Sequence, residues 1–198
     1  TRGLVRWGRG EDQAALTDSL EAVARARQID HIPSLWIALL YLALAYQGRD
    51  EAAHARSTCD ELLTLAHQYG LPAFIGYAFI IRCWSTGELP PADSAIQTLW
   101  DMGCRYCQTY YRAFGIQNLM QAGRWAEALT RLETALALVT ELQEGLHHSE
   151  LLILKARCLL AQGQTSAAGP VLLAAHQTAL DGGKQRSADA AWALLQAH

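Results

Sequence analysis

The chain is poor in the signatures that announce chemistry. It has no Gly-x-x-x-x-Gly-Lys-Ser/Thr loop, no Gly-x-Ser-x-Gly elbow, no His-Glu-x-x-His pair and no Gly-x-Gly-x-x-Gly turn between a strand and a helix. Each lack removes a function class: phosphate cradling, acyl transfer, zinc hydrolysis and dinucleotide binding. Lys and Arg form no run, and 16 basic residues against 19 acidic ones leave a formal net charge of −3. That charge gives a phosphate backbone no electrostatic footprint, so nucleic acid is not an expected partner. No apolar stretch reaches the ~20 residues that span a bilayer. The most apolar one, Leu35 to Tyr46, is interrupted by Tyr41 and followed by QGRDE, so no membrane partner is expected either. The chain opens at Thr1 without a charged-then-apolar leader. It therefore reads as a cytoplasmic segment cut from something longer. Its five cysteines, an odd number spread over helical stretches, fit a reducing compartment better than a disulfide framework.

Turning to what is present, 198 residues with 51% hydrophobic content can bury roughly 70% of the unfolded surface without metal or disulfide staples. A glycine, a short polar turn and an alanine-rich amphipathic run recur: GRGEDQAALTDSLEAVARA from Gly8, GRDEAAHARSTCDELLTLA from Gly48, GELPPADSAIQTLW from Gly87, GRWAEALTRLETALAL from Gly123 and GQTSAAGPVLLAAHQTAL from Gly163. Anchored at Gly10, Gly48, Gly87, Gly123 and Gly163, the steps are 38, 39, 36 and 40 residues. A nearly fixed period in this range marks an array of helical hairpins. Glycine past a helix end supplies the left-handed conformation that stops it, and acidic residues after it suit the positive end of the next helix. Five residues past each anchor stand Ala15, Ala53, Ala92, Ala128 and Ala168, small enough for close helix approach. Ala22, Ala135 and Ala175 recur seven residues later, where Asp60 and Leu99 depart from the pattern.

These residues carry a resemblance to the tetratricopeptide repeat family. GRWAEAL, Gly123 to Leu129, is the best match, with Trp125 in the aromatic place, Ala128 in the small place and Leu132 in the bulky place before Ala135. The unit here is longer than that family's, and Pro170 falls inside the expected second helix of the last unit, where it should kink or delay that helix. HHSELLILKARCLLAQGQTSAA, His147 to Ala168, is similar to the closing repeats of large bacterial signalling proteins, in which such arrays follow a cyclase or DNA-binding domain and an ATPase. The resemblance implies an all-α, right-handed superhelical solenoid of antiparallel hairpins. About ten helices are expected, near 11–29, 32–47, 49–69, 72–86, 91–102, 104–122, 124–143, 147–162, 164–180 and 185–197. Residues 1–10 read as the tail of a preceding repeat helix, and 11–198 as one repeat domain.

Each candidate reactive group also has a plain structural role. Cys104 and Cys107 form the one Cys-x-x-Cys, but no second pair exists to complete a metal site, and the pair reads as small residues near a helix start. His147 and Glu150 could share a helix face, yet two ligands make no site, so a solvated helix start capped by Ser149 or a neighbour is the expectation. Glu127, Glu133, Glu141 and Glu144 lie on polar faces where nothing would raise a carboxyl pKa for acid catalysis. DGGKQRS, Asp181 to Ser187, reads as a loop between helices. No cofactor, metal site or catalytic residue is expected.

What remains is a surface. The resemblance places the first helix of each pair on the concave wall and, by projection, puts Leu35, Ala38, Leu42, Tyr46, Phe74, Tyr77, Ile81, Trp84, Tyr110, Gln117, Met120, Gln121, Glu150 and Arg157 there. Such an apolar and aromatic wall suits an amphipathic helix or extended peptide, although the same residues at helical spacing also read as core. The wall lacks the Lys and Asn cluster with which family members grip a C-terminal carboxylate. The expected function is a non-enzymatic interaction module for a protein or peptide. Two further classes stand beside it: a peptide or small-ligand sensor that changes curvature, and a redox or catalytic protein using Cys104 and Cys107. Trp192, Leu194 and Leu195 in SADAAWALLQAH also make a homodimer through one end of the array conceivable.

Overall fold

The computed structural model describes residues 2–88, 90–105 and 107–198, with the backbone alone for residues 90–92. Among them there are eleven α-helices, one 3-10 turn and no strand. The helices are α1 Arg2–Gly8, α2 Asp12–Gln28, α3 Ile32–Gly48, α4 Ala52–Gln68, α5 Pro72–Thr86 and α6 Pro90–Asp101, then α7 Gln108–Gln121, α8 Trp125–Leu142, α9 His148–Ala161, α10 Thr165–Asp181 and α11 Gln185–Ala197, with the 3-10 turn at Gly145–His147. Within each unit, turns of a few residues join successive helices, and each helix packs on its predecessor. Two compact units result, residues 1–105 and 106–198.

One device stops nearly every helix. Gly10, at φ +73°, donates its N–H to the Trp7 carbonyl while Glu11 N–H reaches the Arg6 carbonyl. These two bonds satisfy carbonyls that a helix end otherwise leaves orphaned. The same pair recurs where Asp30 bonds Arg27 and His31 bonds Ala26, and where Gly70 bonds His67 and Leu71 bonds Ala66. Positive φ falls at residues 10, 30, 50 and 70 in the first unit and at 123, 143, 163 and 183 in the second, a step of 20 each time. The hairpin repeat is therefore 40 residues in these stretches. It tightens only around α5 and α6, where Gly87 and Gly103 hold the left-handed turns.

This register corrects part of the sequence pattern. Gly48 is the last residue of α3, and Asp50, at φ +61°, makes the turn. Aspartate tolerates that conformation better than most side chains, which is why the glycine was not needed there. Ala55, fully buried, holds the small place, whereas Ala53 is exposed. Ala15, Ala128 and Ala168 are fully buried as expected, and the side chain of Ala92 lies outside the described residues. Ala22 is exposed and Val23 is buried in its stead. From Ala55 the stripe on α4 continues through Cys59, Leu62 and Ala66, so Asp60 is off the stripe; α8 repeats it with Ala128, Leu132, Ala135 and Val139, and α10 with Ala168, Leu172, Ala175 and Ala179. Leu99 on α6 keeps the place next to a matching gap, because a Cβ on Gly76 of α5 would sit 2.8 Å from its Cδ2.

Pro170 neither delays nor ends α10, which runs from Thr165 to Asp181. Gly169 before it carries no Cβ to clash with the ring, and Pro170 is exposed, so water can take the carbonyl left without a donor. Cys104, Arg105 and Cys107 lie before α7, which starts at Gln108, not within it as the sequence pattern had them, and Tyr106 lies outside the described residues.

Within each unit the odd-numbered helices touch one another, α1 with α3 and α3 with α5, and α7 with α9 and α9 with α11. The even-numbered helices meet chiefly their neighbours in sequence. This explains the composition. α3 buries Leu35, Ala38, Leu39, Leu40, Leu42, Ala43, Leu44 and Ala45, a nearly all-round apolar surface, while the even helices need one buried stripe and keep a polar face. No helix among the described residues is long and apolar enough to cross a membrane.

Candidate partner-binding layer and a polar cavity

The expected wall residues fall into two groups. Leu35, Ala38, Leu42, Tyr77, Ile81, Trp84, Tyr110 and Met120 are buried, and Ile81 at 0% exposure has no surface to offer a partner. Tyr46, Phe74, Gln117 and Glu150 are half-buried, while Gln121 and Arg157 are exposed. Tyr46 stacks on His54 with centroids 5.0 Å apart, and Phe74 meets Trp36 at 5.6 Å, with Tyr69 on the other side of Trp36 at 6.4 Å. Those aromatics pin α3, α4 and α5 together.

The odd layer of the first unit also shows residues that the sequence pattern passed over. Ile37 is 42% exposed, and Tyr41 on α3 with Ile75 and Phe79 on α5 are half-buried. In both helices the two residues are four apart, so each pair lies along one face.

In the second unit the polar groups are concentrated. Glu144, just before the 3-10 turn, accepts hydrogen bonds from the N–H groups of Gln108 and Thr109 at 3.1 and 2.9 Å and from the Thr109 hydroxyl at 2.9 Å. A carboxylate of one hairpin thus caps the α7 N-terminus of the hairpin before it, matching charge to the helix dipole. Beside it, His147 is 7% exposed and stacks on Tyr110 at 4.2 Å. This overturns the solvated helix start expected there. Burial, aided by the Lys184 ammonium and opposed by Glu150, pushes His147 down to about 3, so the ring is neutral at ordinary pH.

Lys184 is buried to the same degree; its Nζ donates to Glu150 Oε1 at 2.8 Å and to the Leu146 carbonyl, and Ser187 Oγ donates to the same carboxylate at 2.9 Å. Burial raises the Glu150 pKa, but Lys184, His147 and the hydrogen bonds outweigh it and hold the group below its ordinary value. This Lys–Glu tie fastens α11 to α9. Sequence could have flagged Lys184 only through its place one residue past the left-handed turn residue, where Glu11, Glu51 and Glu144 stand in other repeats.

Cys107, Thr109, Gln143, Glu144, Gly145, Leu146 and His147 line a cavity of about 160 Å³. None of the five cysteines is in a disulfide. Burial pushes Cys59 up to about 12 and Cys83 and Cys158 to about 11, so these carry almost no thiolate at neutral pH. No group of three or more His, Cys, Asp or Glu among the described residues is placed to hold a metal ion. Glu127 pairs with Arg124 and Arg131, and Glu133 with Lys155, as solvated faces do.

No protein-family model matches the chain. No curated protein matches it either.

Proposed function

We propose that this chain is a non-enzymatic interaction module of the tetratricopeptide type, which holds a protein segment or peptide against its odd-helix layer and serves a bacterial signalling or regulatory protein in the cytoplasm. One observation carries the reading. In the first unit the layer whose helices α1, α3 and α5 touch one another also presents Ile37, Tyr41, Phe74, Ile75 and Phe79 as partly exposed apolar and aromatic groups. Aromatic anchors of this kind supply most of the energy in helix-in-groove and extended-peptide recognition. In the second unit, taken by itself, the odd helices carry Gln117, half-buried, and Gln121 and Arg157, exposed, as polar groups for a partner.

The test is a titration of labelled amphipathic-helix and extended-peptide libraries against the whole chain, repeated with Tyr41→Ala and Phe79→Ala. A bound peptide should lose at least about tenfold in affinity in each variant, as truncation of an interface anchor does. Peptides that bind both variants as well as the parent chain would rule this layer out.

A further inference from the structure

The start of α7 is where the second unit departs from its own rule. Cys107, the residue before α7, takes a left-handed conformation at φ +54°, which no other described residue directly before a helix shows, and α7 is capped from the following hairpin by Glu144. The cavity described above opens at this irregularity, and in otherwise consistent folds such departures concentrate at functional sites.

We infer that this cavity is a binding site for a small organic cation, an ammonium or guanidinium group seated against the Glu144 carboxylate. The charge balance points that way. Lys184 and Glu150 neutralise each other, the His147 ring is uncharged, and the helix end contributes about half a positive charge against the full negative charge of Glu144. A net negative charge therefore remains at the cavity wall. A carboxylate offers about four acceptor sites; here Oε1 takes the Gln108 N–H while Oε2 takes both the N–H and the hydroxyl of Thr109, so Oε1 is the oxygen to which an incoming N–H would add. Leu146 and Cys107 give the apolar wall that a short carbon stem requires. The volume suits it, since a cavity of roughly 150 Å³ takes a six-carbon ring. An anion would meet the same carboxylate and be repelled. The cation could arrive as a free amine or guanidine, or as the Lys or Arg side chain of a peptide.

The site lies in the second unit and does not rest on the partner-binding layer of the first. Its experiment titrates the whole chain with methylguanidinium, with acetyl-Gly-Arg-Gly-amide and with acetate at matched ionic strength, reading calorimetry and the rate at which methyl methanethiosulfonate modifies Cys107. One equivalent of a cationic probe should bind saturably, slow Cys107 and leave Cys104 unchanged, and Glu144→Gln should weaken it at least about tenfold. Tighter binding of the peptide assigns a side chain as the natural ligand, and equal or tighter methylguanidinium binding assigns a free cation. Two results overturn the inference: Cys107 modified at the same rate with either cation present, or unchanged affinity in Glu144→Gln. Should Glu144→Gln not fold, Cys107 protection in the parent chain decides alone. Phe79→Ala should leave cation binding intact, so failure here and failure of the peptide reading are separable.

Discussion

The contact between Gly76 and Leu99 is a size match that can be measured. Gly76 sits inside α5, where glycine costs about 1 kcal/mol against alanine, so Gly76→Ala taken alone should stabilise the helix by that much. Against this, the new Cβ would lie 2.8 Å from Leu99 Cδ2 and 2.9 Å from its Cγ, closer than real carbon atoms approach. Leu99 is fully buried and cannot swing into solvent. Overpacking of this kind costs roughly 1–3 kcal/mol, so the clash wins and Gly76→Ala is expected to destabilise by up to about 2 kcal/mol. Leu99→Ala should cost about 2–5 kcal/mol through the cavity it leaves. In that background Gly76→Ala meets open space and should become stabilising by about 1 kcal/mol. The two substitutions therefore couple by roughly 1–3 kcal/mol, a sign reversal that urea unfolding of all four proteins, followed by circular dichroism at 222 nm, can read directly. Gly76→Ala stabilising equally in both backgrounds would refute the packing argument.

Other expectations follow from the second unit and the turns. His147 is neutral in the fold with its pKa near 3, while the unfolded chain takes up a proton near 6.5, so stability is complete above pH 6.5 and falls by about 1.4 kcal/mol per unit below it. Glu150, whose folded pKa is lowered, adds an acid loss only as pH drops below its ordinary carboxylate range; His147→Gln should thus flatten the urea midpoint between pH 5 and 6.5 by close to one proton, and an unchanged slope would refute the assignment. Lys184→Met leaves Glu150 without its cation and should cost about 2 kcal/mol, less than a fully buried pair because the Glu150 side chain is 37% exposed, and Glu150→Gln added to it should recover part of the loss in thermal unfolding. Asp50→Gly relieves a left-handed aspartate and should raise stability by roughly 0.5–1 kcal/mol, read as a higher Tm; a lower Tm would mean that the aspartate side chain stabilises its turn. Light scattering at high concentration tests self-association through α11, where Trp192 is 43% exposed; a dimer that Trp192→Ala abolishes is expected if that end pairs.

The helices were legible in the sequence because their stops are local: a glycine at 10, 87, 123 or 163 sets the backbone whatever surrounds it. Where another residue takes the same conformation, as Asp30, Asp50 and Gln143 do, the glycine pattern misses the turn and can slip, which is how Ala53 stood in for Ala55. Pro170 misled because its cost depends on the residue before it and on water at the freed carbonyl, neither of which a helix pattern weighs. The polar groups were the least legible. Glu144 and Gln108 are 36 residues apart, and Lys184 and Glu150 are 34 apart. Nothing local marks either member, and His147 looked like a solvent-facing histidine until Tyr110 closed over it.

The even spacing of the left-handed turns also sets how such a chain can lengthen or shorten without losing its sidedness. Gaining or losing one 20-residue step would exchange the roles of every helix beyond it, sending apolar all-round helices to the polar flank and striped helices into the crowded one. Two steps together restore the alternation. Genetic duplication and deletion in this architecture should therefore be tolerated in whole hairpins, and a single supernumerary helix should behave as a lesion however well its own sequence suits the helical state.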